Sequence, residues 1–230
     1  MSSLGPKQRV FASLAEIAQA IGHPNRLEIL ELLAQGEVSV EMLATRTGLS
    51  VANTSRHLQI LRRARLAEPR RDGKHMLYSL VAETDVIRLL NALGCIGERS
   101  MAEVEVVMAS YFRARDSLEP ISRDELLVRL REDSVTLLDI RPEDEFIRGH
   151  IPGAINVSLT SLERNLCDLP HGQTIIAYCR GPYCVLSFEA VAILRAKGYD
   201  ARRLQDGYPE WKAACLAITI QYSEEQTFLY

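Results

Sequence analysis

The sequence lacks any apolar run approaching the ~20 residues that a membrane-spanning helix requires, so no membrane partner is expected. Its first twenty residues are amphipathic but hold neither a continuous apolar core nor a cleavage-like site, which argues against a secretory leader. An even, regularly spaced set of cysteines is also missing. The five present (Cys95, Cys167, Cys179, Cys184 and Cys215) are odd in number and irregular in spacing. That argues against a disulfide scaffold and for reduced thiols in a cytoplasm. The His and Cys residues show no metal-ligand spacing, and no metal or other cofactor is expected. What remains is a composition of 47% hydrophobic and 25% charged residues over 230 positions, suited to two soluble domains.

A large net charge is absent too, but the value of −3 hides an asymmetry. Residues 1–115 carry 15 Lys+Arg against 12 Asp+Glu, a balance of +3, and residues 116–230 carry 12 against 18, a balance of −6. Seven basic residues (Arg56, Arg62, Arg63, Arg65, Arg70, Arg71 and Lys74) crowd positions 56–74 against Glu68 and Asp72. Their setting gives this cluster meaning. Helical spacing over Val10–Ile21 is broken by Gly22-His23-Pro24, and Pro24 suits the first turn of a helix burying Leu27, Ile29, Leu30, Leu32 and Leu33. After Gly36, Ser39 is placed to cap a short helix through Met42, Leu43 and Thr47. Gly48 makes a tight turn, and Ser50 caps the next helix, Val51–Ala64. Two short helices joined by a glycine turn form a helix-turn-helix, whose second helix enters the DNA major groove.

Along that second helix Thr54, Leu58 and Leu61 follow the inward period. The candidate DNA contacts are Ser50, Asn53, Thr54, Ser55, Arg56, His57 and Gln59, because Asn, Gln and Arg read base edges and hydroxyls suit phosphates. Arg70, Arg71 and Lys74 join them from a hairpin whose predicted turn is Asp72-Gly73, followed by alternating Met76, Tyr78 and Leu80. The stretches IGHPNRLEILELL, LATRTGLSVANTSRHLQILRRARL and AEPRRDGKHMLYSL, in that order, resemble the arsenical-resistance repressor (ArsR) family of winged-helix regulators across roughly residues 10–110. The resemblance implies a homodimer on palindromic double-stranded operator DNA. It also implies pairing through the first helix and a long last helix near Asp85–Phe112, and repression released by a ligand. Metal-sensing members carry a cysteine motif in the helix before the turn, where this chain has VSVEMLA. Cys95, the lone thiol of this half, is expected in a core or dimer interface.

Past a charged linker, RARDSLEP, Ser122-Arg123-Asp124-Glu125 has capping-box spacing before a helix with Leu126, Leu127 and Leu130 on one side. Val135–Ile140 and Thr174–Tyr178 read as buried strands, a helix runs through Phe146, and another spans Val185–Lys197 before Gly198 and a strand near Ala201–Leu204. Strands alternating with helices indicate a small parallel α/β sheet. The stretch YCRGPYC sits at the carboxyl end of one strand and the amino end of the next helix, where ligands bind in such sheets. Converging backbone N–H groups and the helix dipole there favour a nucleophilic thiolate at Cys179.

LLDIRPEDEFIRGHIPGAINV, YCRGPYC and LQDGYPEW, in that order, look like a rhodanese (sulfurtransferase) domain over about residues 121–215. The resemblance implies that Cys179 holds sulfane sulfur as a persulfide, cradled by the loop Arg180, Gly181, Pro182, Tyr183 and Cys184. Arg180 would attract a small sulfur anion such as thiosulfate or polysulfide, and Asp139 and Arg141 would support the site. Glu145, one helical turn from Arg141, is placed to pair with it. Cysteine phosphatases and arsenate reductases of similar fold need Cys-x5-Arg, and the corresponding position here is Val185, which excludes them. Cys184 stands where many active sulfurtransferases have a basic or small hydroxyl residue, and reads either as a small helix-starting residue or as a resolving thiol. Cys167 and Cys215 read as packing residues, and the end of the chain as an added element or a reach to a dimer partner.

The expected architecture is therefore a mainly-α winged helix-turn-helix domain, 1–115, followed by an α/β rhodanese-like domain with a parallel sheet, 116–230. The expected function is a cytoplasmic DNA-binding repressor that senses reactive sulfur or redox state through Cys179. Two alternatives are a sulfurtransferase with an uncoupled, autoregulatory DNA-binding half, and a rhodanese half that serves only for docking.

Overall fold

A computed structural model describes residues 5–113, 120–166, 169–170 and 172–221. The chain divides into two compact units, Met1–Leu90 and Asn91–Tyr230.

In the first unit α1 (Pro6–Ile21) and α2 (Pro24–Leu33) are separated by the Gly22-His23 break, with Pro24 in the first turn. Arg26 of α2 is buried and donates from Nη2 to Gln19 O (3.0 Å) and from Nε to Ala20 O (2.5 Å). It thereby satisfies carbonyls that the end of α1 leaves without helical partners. Ser39, in the short strand β1 (Val38–Ser39), caps α3 (Val40–Thr47) by accepting from Met42 N, and Gly48 closes that helix in the left-handed conformation. Ser50 caps α4 (Val51–Arg63) by accepting from Asn53 N. The strands β2 (Ala67–Asp72) and β3 (His75–Leu80) form an antiparallel hairpin, and β1 pairs with the outer side of β3. Asp72 pairs with His75, so the turn is Gly73-Lys74, one residue later than expected, with Gly73 taking the positive φ. Ile29, Leu30, Leu33, Leu43, Leu58 and Leu61 fill the core between these elements.

Helix α5 (Glu83–Ser100) runs through the division between the units. The single long last helix that was expected is interrupted. Met101 is extended, the helix restarts on its carbonyl as α6 (Ala102–Val107), and a π-helical turn, Met108–Arg113, follows. Most of the linker RARDSLEP lies outside the described residues.

The remainder of the second unit is a four-stranded parallel sheet in the order β5-β4-β6-β7, made of β4 (Val135–Asp139), β5 (Ile155–Asn156), β6 (Thr174–Tyr178) and β7 (Ala201–Arg203). Every residue of β4 is buried, as sheets covered on both faces demand. The period of two sends Leu138, Ile175 and Ala177 toward α9 (Leu159–Leu162) and α10 (Val185–Ala196), where they meet Leu162, Val191 and Leu194. It sends Val135, Leu137, Ile176 and Tyr178 to the other face, against Leu126 of α7 (Arg123–Arg131) and Trp211 of α11 (Tyr208–Ala213). Ser122 caps α7 by accepting from Glu125 N. Toward the end of the described chain Thr219 forms an antiparallel bridge with His150, so this part of the tail adds to the unit's own edge. Residues 222–230 lie outside the described residues.

Candidate functional sites

Residues 179–184 connect β6 to α10, with Cys184 as the N-cap of the twelve-residue α10. Cys184 N donates to Gly181 O (3.1 Å), and Ser187 Oγ donates to Cys184 O (3.2 Å). Cys179 and Cys184 are both buried and are joined by a disulfide, their Cα atoms 6.2 Å apart. This spacing lies inside the 4.4–6.8 Å range that such a bond spans. In the dithiol state a thiolate at this turn faces the positive end of α10, which favours its charge.

The frame beneath the loop is an ionic and aromatic layer with no exposure. Arg141 donates to Asp139 from its backbone N (2.9 Å), Nε (3.0 Å) and Nη2 (2.6 Å), and from Nη2 to Gly149 O (2.7 Å). Both side chains are fully buried. The guanidinium also lies 4.1 Å from the centre of the Tyr208 ring. Tyr178, one residue before Cys179, accepts from Ile151 N (3.1 Å), and burial followed by the charge of Asp139 pushes its hydroxyl pKa well up. Asp139 and Arg141 are thus bound to each other in the core beside Tyr208, whose backbone N donates to Cys179 O.

The charge of Glu145, on α8 (Glu143–Arg148), acts on Arg141, one helical turn away. Glu145 also accepts from Arg180 Nε (3.1 Å) and Nη2 (2.7 Å). Glu145 is fully buried, so the loop's only cation faces a carboxylate with no access to water. No local periodicity shows this pairing, because 35 residues separate its members.

The loop is closed from outside by the start of α11. Tyr208 N donates to Cys179 O (3.0 Å), and a Cβ at Gly207 would overlap the backbone of Arg180 and Gly181. Gly207→Ala must therefore push the loop away. Formation of the Cys179–Cys184 bridge from the reduced protein is expected to slow by on the order of 10²-fold. Bridging rates under diamide, measured by mass spectrometry, check this, and unchanged rates would contradict the close fit.

On the first unit, Asn53, Ser55, Arg56 and Gln59 of α4 are exposed or half-buried, and Ser50 is exposed at the cap. Thr54 and His57 are corrected: both are buried and cannot reach a base edge. Thr54 Oγ1 donates to Ser50 O (3.1 Å). His57 lies against His23 with ring centres 4.7 Å apart, and burial, then the charges of His23 and Arg26, lower its pKa. The inward stripe of α4 is thus one residue wider than the Thr54–Leu58–Leu61 period indicated. In the hairpin Arg70 is held by Glu37 through Nε (2.8 Å) and Nη2 (2.5 Å), whereas Arg71 and Lys74 stand exposed beside the turn. Arg71→Ala and Lys74→Ala are each expected to reduce the slope of log affinity against log salt by about 1, across DNA sequences alike. A salt titration of DNA binding checks this, and an unchanged slope would remove the hairpin from the interface.

Cys95 and Cys215 are exposed, so neither is a core residue, contrary to the packing role expected for Cys215. Cys167 lies outside the described residues.

Comparison with known proteins matches both halves. Residues 23–68 fit the bacterial regulatory protein, arsR family, and residues 122–214 fit the rhodanese-like domain. The chain is 40% identical over 212 residues to the HTH-type transcriptional regulator Rv0324 of Mycobacterium tuberculosis, covering 92% of each chain. Among solved structures it is similar to the homodimeric winged helix-turn-helix DNA-binding domain (fragment 1–100) of Mb0332 from Mycobacterium bovis. There the identity is 34%, over 45% of this chain and 95% of that one, with a TM-score of 0.40. A rhodanese-related protein from Thermoplasma volcanium is 21% identical over 45% of this chain and 100% of that one, with a TM-score of 0.41.

Proposed function

Since the chain belongs to the ArsR family of transcriptional regulators and carries a rhodanese-like domain, we propose that it is a cytoplasmic repressor whose thiol loop senses sulfane sulfur. It acts as a homodimer on a palindromic operator. Val10, Phe11 and Leu14 of α1, and Leu89, Leu93 and Ile96 of α5, are exposed and supply apolar surface for pairing.

The chemistry at the loop balances in two steps. Cys179 thiolate attacks the sulfane sulfur of a donor, taking one sulfur atom as a persulfide and releasing sulfite from thiosulfate, or a polysulfide shortened by one atom. Cys184 thiolate then attacks Cys179 Sγ, forming the disulfide and expelling hydrosulfide. The dithiol is oxidised by two electrons, and the sulfane sulfur is reduced to sulfide. Cellular thiols return the disulfide to the dithiol by exchange.

The observation that carries this reading is the bonding of Cys179 to Cys184 across one buried turn. A turnover enzyme must keep its persulfide until an acceptor arrives. A thiol able to bond with Cys179 discharges the persulfide instead, which suits a switch. After treatment of the reduced protein with sodium polysulfide, intact-mass analysis is expected to show a product ~2 Da lighter, with the bridge mapped to Cys179 and Cys184. A stable adduct ~32 Da heavier would instead support the uncoupled sulfurtransferase.

A further inference from the structure

Tyr183, next to Cys184, reaches out of the loop to another element of the second unit. Its hydroxyl donates to the Glu98 carboxylate on α5 at 2.6 Å. Its ring and hydroxyl fill the place where a side chain at Gly94 would stand. Gly94 and Glu98 are four residues apart and share one helix face. Glycine is a poor helix former, so Gly94 within an eighteen-residue helix calls for a reason, and the tyrosine ring supplies one. Burial, followed by the hydrogen bond to Glu98, raises the Tyr183 pKa, which keeps the hydroxyl a proton donor.

The segment after α5 is fastened separately to α10. Phe112 packs edge-on against Phe188 with ring centres 4.7 Å apart, and Tyr111 Oη donates to Glu189 at 3.0 Å. These contacts involve neither cysteine. The Tyr183 contact adjoins Cys184 directly.

We propose that Tyr183 relays the state of the thiol loop to α5. Closing the Cys179–Cys184 bridge fixes Tyr183 in the Gly94 notch against Glu98, and opening the bridge releases it. Helix α5 is the element on which this acts, and its first turns, up to Leu90, belong to the DNA-binding unit. The relay rests on the sulfur-sensing reading above and names the residues that transmit it.

Hydrogen exchange on the full-length protein tests the relay, comparing dithiothreitol-reduced protein with protein bridged by diamide, which takes two electrons and two protons from the dithiol. In the wild type, bridging is expected to slow exchange over residues 91–100 by roughly threefold or more, with residues 186–196 unchanged. Tyr183→Phe keeps the ring and loses the hydroxyl, and Gly94→Ala keeps the hydroxyl and fills the notch. Both are expected to form the bridge, verified by intact mass, yet show the same exchange over residues 91–100 in either state. A wild-type protein without the difference, or variants that retain it, would overturn the relay. Diamide closes the bridge without a sulfur donor, so failure of polysulfide to load Cys179 would overturn the sulfur reading and leave this result standing.

Discussion

Cys179→Ser is expected to reduce sulfane-sulfur uptake at the loop by roughly 10³-fold, because the Cys179 thiolate is the proposed nucleophile. The serine hydroxyl at this turn is a far weaker nucleophile toward sulfur, and Cys184 lies at the helix cap, where it lacks the Cys179 position at the strand end. Cys184→Ser is expected to behave oppositely. Cys179 still loads, but its persulfide has no resolving thiol, so an adduct ~32 Da heavier accumulates in place of the bridge. The two variants together separate loading from resolution. Mass spectrometry after polysulfide treatment measures both, and a bridged product from Cys184→Ser would remove Cys184 from the chemistry.

Arg180→Ala has the second large effect, and it distinguishes two roles for one residue. If Arg180 served only to attract anions, its loss would weaken thiosulfate capture and leave stability untouched. The structure binds it to Glu145, whose side chain has 0% exposure against 19% for Arg180. Removing the cation takes from a fully buried carboxylate its bidentate partner, which costs up to about 3–5 kcal/mol. For a unit of this size the melting temperature falls by about 10 °C. Adding Glu145→Gln removes the buried charge itself, and the double variant is expected to recover most of the loss. Calorimetry of the single and double variants checks this. An unchanged melting temperature in Arg180→Ala would restore the role of a solvated anion guide.

Local signals made most of the fold legible in the sequence. Ser39, Gly48 and Ser50 mark helix ends through hydrogen bonds within three or four residues, and the structure uses them as read. The strand Thr174–Tyr178 and the helix starting at Val185 follow from hydrophobic period alone. What was not legible depends on contacts between distant segments. The Glu145–Arg180 pair joins α8 to the thiol loop, and the burial of His57 depends on His23 arriving from the break before α2. Tyr183 and Glu98 stand 85 residues apart. The hairpin was misplaced by one residue because Asp-Gly and Gly-Lys are both acceptable turn pairs, and only the strand register chooses between them. The interruption at Met101 has no proline to announce it.

The central claim is that sulfur at Cys179 alters binding of DNA by the other unit. The direct measurement is fluorescence anisotropy on an operator duplex selected from a random library by the reduced protein. Affinity is measured before and after polysulfide for the wild type and for Cys179→Ser. The wild-type affinity is expected to change by about 5–150-fold, the range of allosteric coupling energies, and the Cys179→Ser affinity to stay constant. Identical responses from the two proteins would contradict the claim.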